Sequence, residues 1–200
     1  MTAHISPATK VYTLHISYNG HNERIWREVE VSSNYRLNQL GYLVLAAFDT
    51  TASHMFEFLF ANTRYRIPSE DVCVDSKDMA EFNLCQLGLQ VGSMLQMNYD
   101  YGTTQTFELE VVAVDDMARG SGRRYPRIVK GAGRGILDET SPDVFAELVD
   151  QIDCIGRTVE PIFYRDRAQP WDYRVFDLGS MNALLKDEIS RIENSYAVFW

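Results

Sequence analysis

Six cations and no carboxylate lie within residues 117–135, hereafter the basic segment, of a chain whose formal net charge is −9. Five of the twelve glycines lie in the same stretch, and glycine can turn backbone N–H groups toward an anion at low steric cost. Guanidinium forks match phosphate oxygens, and an aromatic ring among them can stack on a base. The segment therefore predicts a site for phosphate or nucleic acid. Its candidate residues are Arg119, Arg123, Arg124, Tyr125, Arg127, Lys130 and Arg134.

Two other interpretations of the basic segment stay open. Its cations can pair with the acidic remainder of the protein, as charged runs on solvated faces usually do. Ser121 and Tyr125 also lie among arginines, as the nucleophile of a DNA recombinase must, although a glycine-rich loop holds such geometry poorly. A dinucleotide-binding loop is not indicated, because the GxGxxG spacing fails at Ile136.

Carboxylates at predicted strand ends form the second group that could do chemistry. Asp100, Asp138 and Glu139 are the main candidates, with Asp115 and Asp116 beside them. Mg²⁺ accepts one or two carboxylates together with water and substrate phosphate, so convergence near the basic segment would make a phosphoryl-transfer site. Aspartate before glycine is also an ordinary turn residue, and the sequence favours that interpretation. We therefore expect no cofactor, with Mg²⁺ as the alternative.

Composition sets the class of protein. With 200 residues and 46% hydrophobic content, the chain can bury one good core. The cysteines, at positions 73, 85 and 154, show no metal-ligand spacing and cannot all pair, which indicates a reducing, cytoplasmic setting. No apolar run approaches the roughly eighteen residues of a membrane helix, so no membrane partner is expected. A pI near 4.9 argues against general coating of nucleic acid.

Alternating apolar residues predict the strands that position these groups. They form three hairpins, over residues 11–31, 56–67 and 94–114. Between the first two hairpins, apolar residues at helical spacing predict a helix over residues 37–48, capped by Ser33 or Asn34. Antiparallel hairpins, rather than βαβ crossovers, place the chain in the α+β class. The predicted fold is a β-grasp-like antiparallel or mixed sheet packed on one main helix.

The remaining segments complete the predicted architecture. Residues 69–82 are typical of an acidic surface loop, and a short helix ended by Gly92 follows them. Ser141 and Pro142 open a helix with a capping hydroxyl and a proline at its first position, and Ser180 begins a second helix. The predicted divisions are a flexible N-terminal arm, an α+β domain and a helical C-terminal extension, over residues 1–10, 11–139 and 140–200.

A series of short motifs, IWR, SHMFEF, YDYG, YP and GxG, runs through the chain before the acidic pair at Asp138 and Glu139. Its residues include Ile25, Trp26, Arg27, His54, Phe58, Tyr99, Asp100, Tyr101, Gly102, Tyr125, Pro126, Gly131 and Gly133. Their order resembles the plasmid pRiA4b ORF-3-like family. The chain departs from the family at Thr103 and Gln105, where an aspartate and a tryptophan are usual. An acidic site at that turn would be diminished here.

The resemblance implies a protein of plasmids, mobile elements and bacterial chromosomes, some of whose relatives are called insertion-element passenger proteins of a TnpR, or resolvase, type. It implies no settled activity. We therefore expect a non-enzymatic binding module that offers the basic segment or a sheet edge to nucleic acid or to a protein partner. The alternative is a DNA-acting mobile-element enzyme or accessory factor, working through Arg123, Arg124, Arg127, Asp100 and Asp138.

Overall fold

A computed structural model describes residues 9–18, 20–21, 23–67, 75–117, 124–165 and 168–197. Within them lie eight strands: β1 (Lys10–Tyr18), β2 (Trp26–Ser32), β3 (Phe56–Phe60), β4 (Thr63–Arg66), β5 (Ser76–Asp78), β6 (Met94–Tyr99), β7 (Gln105–Asp116) and β8 (Arg127–Ala132). The helices are α1 (Leu37–Ala47), α2 (Pro142–Ile155) and α3 (Leu178–Tyr196). Two 3₁₀ turns, Met79–Glu81 and Leu84–Leu87, lie between β5 and β6.

The strands form one sheet in the order β5-β4-β3-β6-β7-β1-β2-β8. Neighbouring strands are antiparallel except for the parallel pair of β4 and β5. The predicted α+β class is therefore confirmed. The comparison with a β-grasp sheet is loose, because α2 and α3 as well as α1 contribute buried side chains to the core.

Helix α1 is the centre of the core, since ten of its eleven residues are buried. Gly41 lies where a Cβ would come within 2.1 Å of Phe56 Cε2, so the helix can approach β3 only with glycine there. The predicted cap at Ser33 or Asn34 was wrong. The N-cap residue is Arg36, while the Ser33 hydroxyl accepts a hydrogen bond from the Lys10 N–H at 3.0 Å.

The C-terminal helices begin at capped residues. The hydroxyl of Ser141 caps α2, as predicted, by accepting a hydrogen bond from the Val144 N–H. Helix α3 starts slightly earlier than predicted, because the carboxylate of Asp177 accepts from the Ser180 N–H at 2.5 Å. At its other end the ring of Tyr196 stacks on Tyr42 of α1. None of the described helices is long and apolar enough to cross a membrane.

Two segments predicted as loops contain strands. Strand β5 lies within the predicted acidic loop 69–82 and pairs with β4, although Ser-Lys-Asp contains no apolar residue that would signal a strand. Strand β8 lies within the basic segment and pairs with β2. Its adjacent Ile128 and Val129, followed by Lys130, break the alternation on which strand prediction depends. Most of the predicted N-terminal arm, residues 1–8, lies outside the described residues.

Candidate functional site

Arg27 of the IWR motif is the largest of the fully buried side chains. Its guanidinium donates hydrogen bonds to four backbone carbonyls. These belong to Trp26 at 2.8 Å, Ala47 at 3.0 Å, Ala132 at 2.5 Å and Arg134 at 3.0 Å. Because these carbonyls lie at the end of α1, in β2 and in and after β8, one buried cation ties three elements together. A cation at the C-terminal end of a helix also complements the helix dipole.

The close packing around Arg27 requires glycine at two positions, one in β8 and one after it. The rings of Phe48 and Phe176 lie over the guanidinium, with centroids 5.0 and 4.5 Å away. A Cβ on Gly131 would lie 2.8 Å from Phe176 Cζ, and one on Gly135, whose φ is +143°, would lie 2.2 Å from the carbonyl oxygen of Phe48. Burial lowers the pKa of Arg27 to about 9, so the group remains charged at neutral pH.

His54 lies between two carboxylates, where the start of β3 meets the end of β6. Its Nδ1 is 3.6 Å from Asp100 Oδ1, and its Nε2 is 3.5 Å from Glu139 Oε1. The second contact is not a hydrogen bond, since the buried Nε2 has no hydrogen-bond partner among the residues that the structure describes. Asp100 also accepts from the Gly102 N–H at 3.0 Å and from the Thr103 hydroxyl at 2.5 Å. Burial acts to raise the pKa of Asp100, but the bonds from Thr103 and Gly102 outweigh it and lower the pKa.

Gln105, the other departure from the family pattern, is fully buried and holds the turn after β6. Its Oε1 accepts a hydrogen bond from the hydroxyl of Tyr18. Its Nε2 donates to the Thr140 carbonyl at 2.5 Å and to the Thr103 hydroxyl at 3.2 Å. Both departures thus supply polar groups that fix the turn around Asp100.

Asp138 accepts three hydrogen bonds on its two carboxylate oxygens. The Thr51 N–H and the Tyr99 hydroxyl each lie at 2.7 Å, and the Tyr164 hydroxyl is the third donor. The structure therefore brings Asp100, Asp138 and Glu139 together around His54 and Tyr99. Asp115 and Asp116 are not part of this group, because they pair with Val11 and Lys10 at the far end of β7. Within the described part of the chain, however, no group of three or more histidine, cysteine, aspartate or glutamate side chains could hold a metal ion.

Replacing Asp138 with alanine is expected to lower the free energy of unfolding by about 2 to 4 kcal/mol, because two phenols and one peptide N–H would lose their acceptor in a partly buried place. Urea unfolding followed by circular dichroism measures the change. Asp187→Ala, an exposed aspartate of α3, is the matched control and should stay within about 0.5 kcal/mol of the unmodified protein. Equal stabilities of the two variants would contradict this account of Asp138.

Two cations of the basic segment form ion pairs with carboxylates of the neighbouring strand. Arg127 donates to both carboxylate oxygens of Glu30, at 2.8 and 3.0 Å. Lys130 Nζ is 3.0 Å from Glu28 Oε2. Both pairs join β8 to β2. The hydrogen bonds that Arg127 donates to Glu30 raise the pKa of its guanidinium. These two side chains therefore contribute to the pairing of neighbouring strands.

The other cations of the basic segment lie in different places. Arg134 is buried, with Nε 3.7 Å from Asp49 Oδ2. Arg119 and Arg123 lie outside the described residues. Arg124 is exposed and has no carboxylate within ion-pair distance among the residues that the structure describes.

Arg124 lines a groove between the chain that enters β8 and helix α3, hereafter the α3 groove, with a volume of about 780 Å³. Tyr125 and Pro126, joined by a cis peptide bond, lie on the β8 side. Lys186 on the α3 side is exposed and, among the described residues, has no carboxylate partner. The full lining is Tyr35, Arg124, Tyr125, Pro126, Asn182, Ala183, Leu185, Lys186, Asp187, Ile189 and Ser190.

Asn182 holds the outer strand to α3 within this groove. Its Oδ1 accepts from the Ile128 N–H at 2.9 Å, and its Nδ2 donates to the Ile128 carbonyl at 2.8 Å. An outer strand otherwise leaves such groups for water or for another strand. Sequence reasoning missed Asn182, Tyr35 and Lys186, because they are brought to the basic segment only by the packing of α3.

The sequence and the fold were both compared with those of known proteins. The family model for the plasmid pRiA4b ORF-3-like protein matches residues 10–178, and its description names no resolvase activity. No curated protein matches the chain. A solved structure, the protein of unknown function MM3350 from Methanosarcina mazei Go1, has a TM-score of 0.70 and 18% sequence identity, with 86% of this chain and 96% of that chain covered. At that identity the similarity concerns the fold alone.

Proposed function

Because the chain belongs to the plasmid pRiA4b ORF-3-like family, whose description carries no activity, we propose that it is a non-enzymatic binding module for single-stranded nucleic acid. The strand lies in the α3 groove. Arg124 and Lys186 contact phosphates, and Tyr125 stacks on a base. The observation that carries the proposal is the difference between these cations and their neighbours: Arg127 and Lys130 are paired with carboxylates, whereas Arg124 and Lys186 are exposed without such a partner among the described residues.

The shape of the site supports a single strand over a duplex. A protein reads duplex DNA by inserting a convex helix or ribbon into its groove, whereas the site here is itself a groove. Proteins that bind single strands combine a cationic groove with aromatic rings on which bases stack. Tyr35 and Tyr125, both half-buried, line the α3 groove with the two cations.

Tyr35 can act as a donor in this site at neutral pH. Burial raises the pKa of its hydroxyl to about 12, and Glu193 acts in the same direction. The phenol therefore keeps its proton and can donate to a phosphate or to a base edge. Asp187, which also lines the groove, opposes an anion, so we expect binding to be weak and strongly dependent on salt.

Fluorescence anisotropy with a labelled oligothymidylate tests the proposal. We expect binding at about 50 mM salt, with the logarithm of the association constant falling against the logarithm of salt concentration with a slope near −1.4, since each of two phosphate contacts contributes about −0.7 for a single strand. The double variant Arg124→Ala/Lys186→Ala should weaken binding by about tenfold or more, which corresponds to about 1.4 kcal/mol.

The matched control is Lys77→Ala/Arg157→Ala, which removes one lysine and one arginine from exposed positions elsewhere. It changes the net charge by the same amount and should leave binding within about twofold of the unmodified protein. Equal loss in both double variants would mean that only net charge matters, and no binding at low salt would overturn the proposal.

Asp100, Asp138 and Glu139, hereafter the acidic cluster, support the non-enzymatic part of the proposal because they lie away from Arg124 and Lys186. The Tyr196 hydroxyl donates to the His54 carbonyl, so the cluster lies near the C-terminal end of α3. Lys186, the proposed phosphate contact on this helix, lies ten positions earlier, about 15 Å along the helix at 1.5 Å per residue. Carboxylates at that distance are poorly placed to act on a strand held at Arg124.

A further inference from the structure

A second cavity lies on the other flank of α3, with a volume of about 170 Å³. The end of α1, the chain after β8 and the segment before α3 complete its walls. Its lining residues are Ala46, Asp49, Arg134, Arg165, Val175, Phe176, Asp177, Ser180, Met181, Leu184, Leu185 and Glu188. This cavity, hereafter the zwitterion cavity, contains a charged floor and an apolar wall.

We propose that the zwitterion cavity binds a free α-amino acid with an apolar side chain about the size of leucine or methionine. The α-carboxylate contacts Arg165, the α-ammonium contacts Glu188, and the side chain lies against Met181 and Leu184. Leu185 lies between this site and the α3 groove and lines both, but the proposed ligand contacts are different residues, and the proposal does not depend on the nucleic-acid function.

The apolar wall explains the side chain of the ligand. Val175 and Leu184 line the cavity and are each 58% exposed, although large apolar side chains gain free energy by leaving water. Phe176, Met181 and Leu185 continue the apolar surface inward. A ligand that contacts this wall removes apolar area from water on both partners.

The volume limits the size of the ligand. Sites for drug-sized molecules measure about 300 to 1,000 Å³, so the zwitterion cavity is too small for a nucleotide or a peptide. A cavity of about 150 Å³ accommodates benzene. The 170 Å³ here therefore suits a branched or thioether side chain, with the charged head group at the ionic floor.

The floor retains hydrogen-bonding groups that a ligand can use. Arg165 donates from Nη1 to Asp49 Oδ1 at 2.7 Å and from Nη2 to Glu188 Oε2 at 3.0 Å. Among the described residues these bonds use two of the five N–H donors of a guanidinium. Arg191 also donates to Glu188 Oε2. The bonds that Glu188 accepts from the described residues thus all fall on Oε2, and Oε1 remains as an acceptor for an ammonium group.

Glu188 is ionised at neutral pH. Burial acts to raise the pKa of its carboxyl, but the hydrogen bonds from Arg165 and Arg191 outweigh that effect and lower the pKa below its ordinary value. The cavity therefore presents a guanidinium and a carboxylate side by side. An α-amino acid carries the complementary charges on one carbon, whereas a plain carboxylic acid or a plain amine can satisfy only one of the two.

The charges around the cavity also favour a ligand that carries both a positive and a negative group over a simple anion or cation. Two guanidiniums, of Arg134 and Arg165, and three carboxylates, of Asp49, Asp177 and Glu188, line it. With both signs present at the floor, a bound anion would lie beside carboxylates and a bound cation beside guanidiniums. A zwitterion avoids both repulsions because each of its ends can face the opposite charge.

Thermal unfolding of the full chain with three small molecules tests the proposal. The probes are L-leucine, 4-methylpentanoate, which lacks the ammonium group, and 3-methylbutylamine, which lacks the carboxylate. We expect L-leucine at saturating concentration to raise the Tm by about 2 °C or more, and the two half-molecules to leave it unchanged at the same concentration. No shift with L-leucine, or an equal shift with either half-molecule, would overturn the proposal.

Variants on α3 locate the site. Ser180 is exposed and lines the zwitterion cavity, while Ser190 is exposed and lines the α3 groove. Ser180→Phe should abolish the L-leucine shift by filling the cavity, and Ser190→Phe should retain it. Glu188→Gln, which keeps the shape of the side chain but removes its charge, should weaken L-leucine binding about tenfold, as measured by calorimetry. Undiminished binding to both Ser180→Phe and Glu188→Gln would refute the assignment to this cavity.

Discussion

Arg27→Met is expected to lower the free energy of unfolding by about 4 kcal/mol or more, which places it among the most damaging single substitutions. Four backbone carbonyls would lose their common donor, and a buried carbonyl left unsatisfied costs about 1 to 3 kcal/mol. The two aromatic rings over the guanidinium would also lose their cation–π contacts. Urea unfolding, followed by both tryptophan fluorescence and circular dichroism, measures the change.

Two further variants separate the causes at this position. Arg157→Met removes an exposed arginine and should change stability by less than about 0.5 kcal/mol. Arg27→Lys keeps the positive charge but replaces a planar fork of five donors with three donors on one nitrogen. It should therefore remain strongly destabilised. A cost below about 1 kcal/mol for Arg27→Met would contradict the idea that the carbonyls depend on this donor.

A steep loss of stability is expected above pH 10. Burial raises the pKa of the Tyr99, Tyr164 and Tyr196 hydroxyls well above the ordinary value of 10.0, and raises that of Tyr35 to about 12. In the unfolded chain these phenols lose their protons near pH 10, whereas in the folded protein they keep them. The stabilisation is therefore fully present below pH 10 and is lost as the pH rises further.

The size of this alkaline effect follows from the number of phenol protons that are lost on unfolding. Tyr99 and Tyr196 are almost completely buried, and each contributes a fall of about 1.4 kcal/mol per pH unit, or about 3 kcal/mol per pH unit together. Urea unfolding at a series of pH values from 8 to about 11 gives the slope. The double variant Tyr99→Phe/Tyr196→Phe, which lacks both phenols, should show a shallower slope. Equal slopes in the double variant and the unmodified protein would contradict the burial of these hydroxyls.

Most of the helices and strands were predictable because their apolar residues recur at the spacing of a helix or of a strand. Ten of the eleven residues of α1 are buried, and their apolar spacing predicts a helix without reference to the rest of the chain. Ser141 followed by Pro142 likewise marks the start of α2. Strands β5 and β8 were missed because neither alternates, and each exists only through pairing with a neighbour at the sheet edge.

The functional groups were only partly predictable. The motif residues Arg27, His54 and Asp100 stood out by resemblance, yet the carbonyls around Arg27 and the contact of His54 with Glu139 join residues far apart in sequence. The basic segment predicted one continuous site. In the structure, the register of β8 with β2 places Arg127 beside Glu30, a pairing that a count of charges along the chain cannot reveal.

The two hydrogen bonds between Asn182 and Ile128 have a consequence for self-association. The amide of Asn182 occupies both the donor and the acceptor of the Ile128 peptide group, so another chain cannot add a strand to β8 at Ile128 while these bonds are in place. Pairing at this position requires α3 to detach from the sheet. Helix α3 thus protects this part of the sheet edge against strand addition from another molecule.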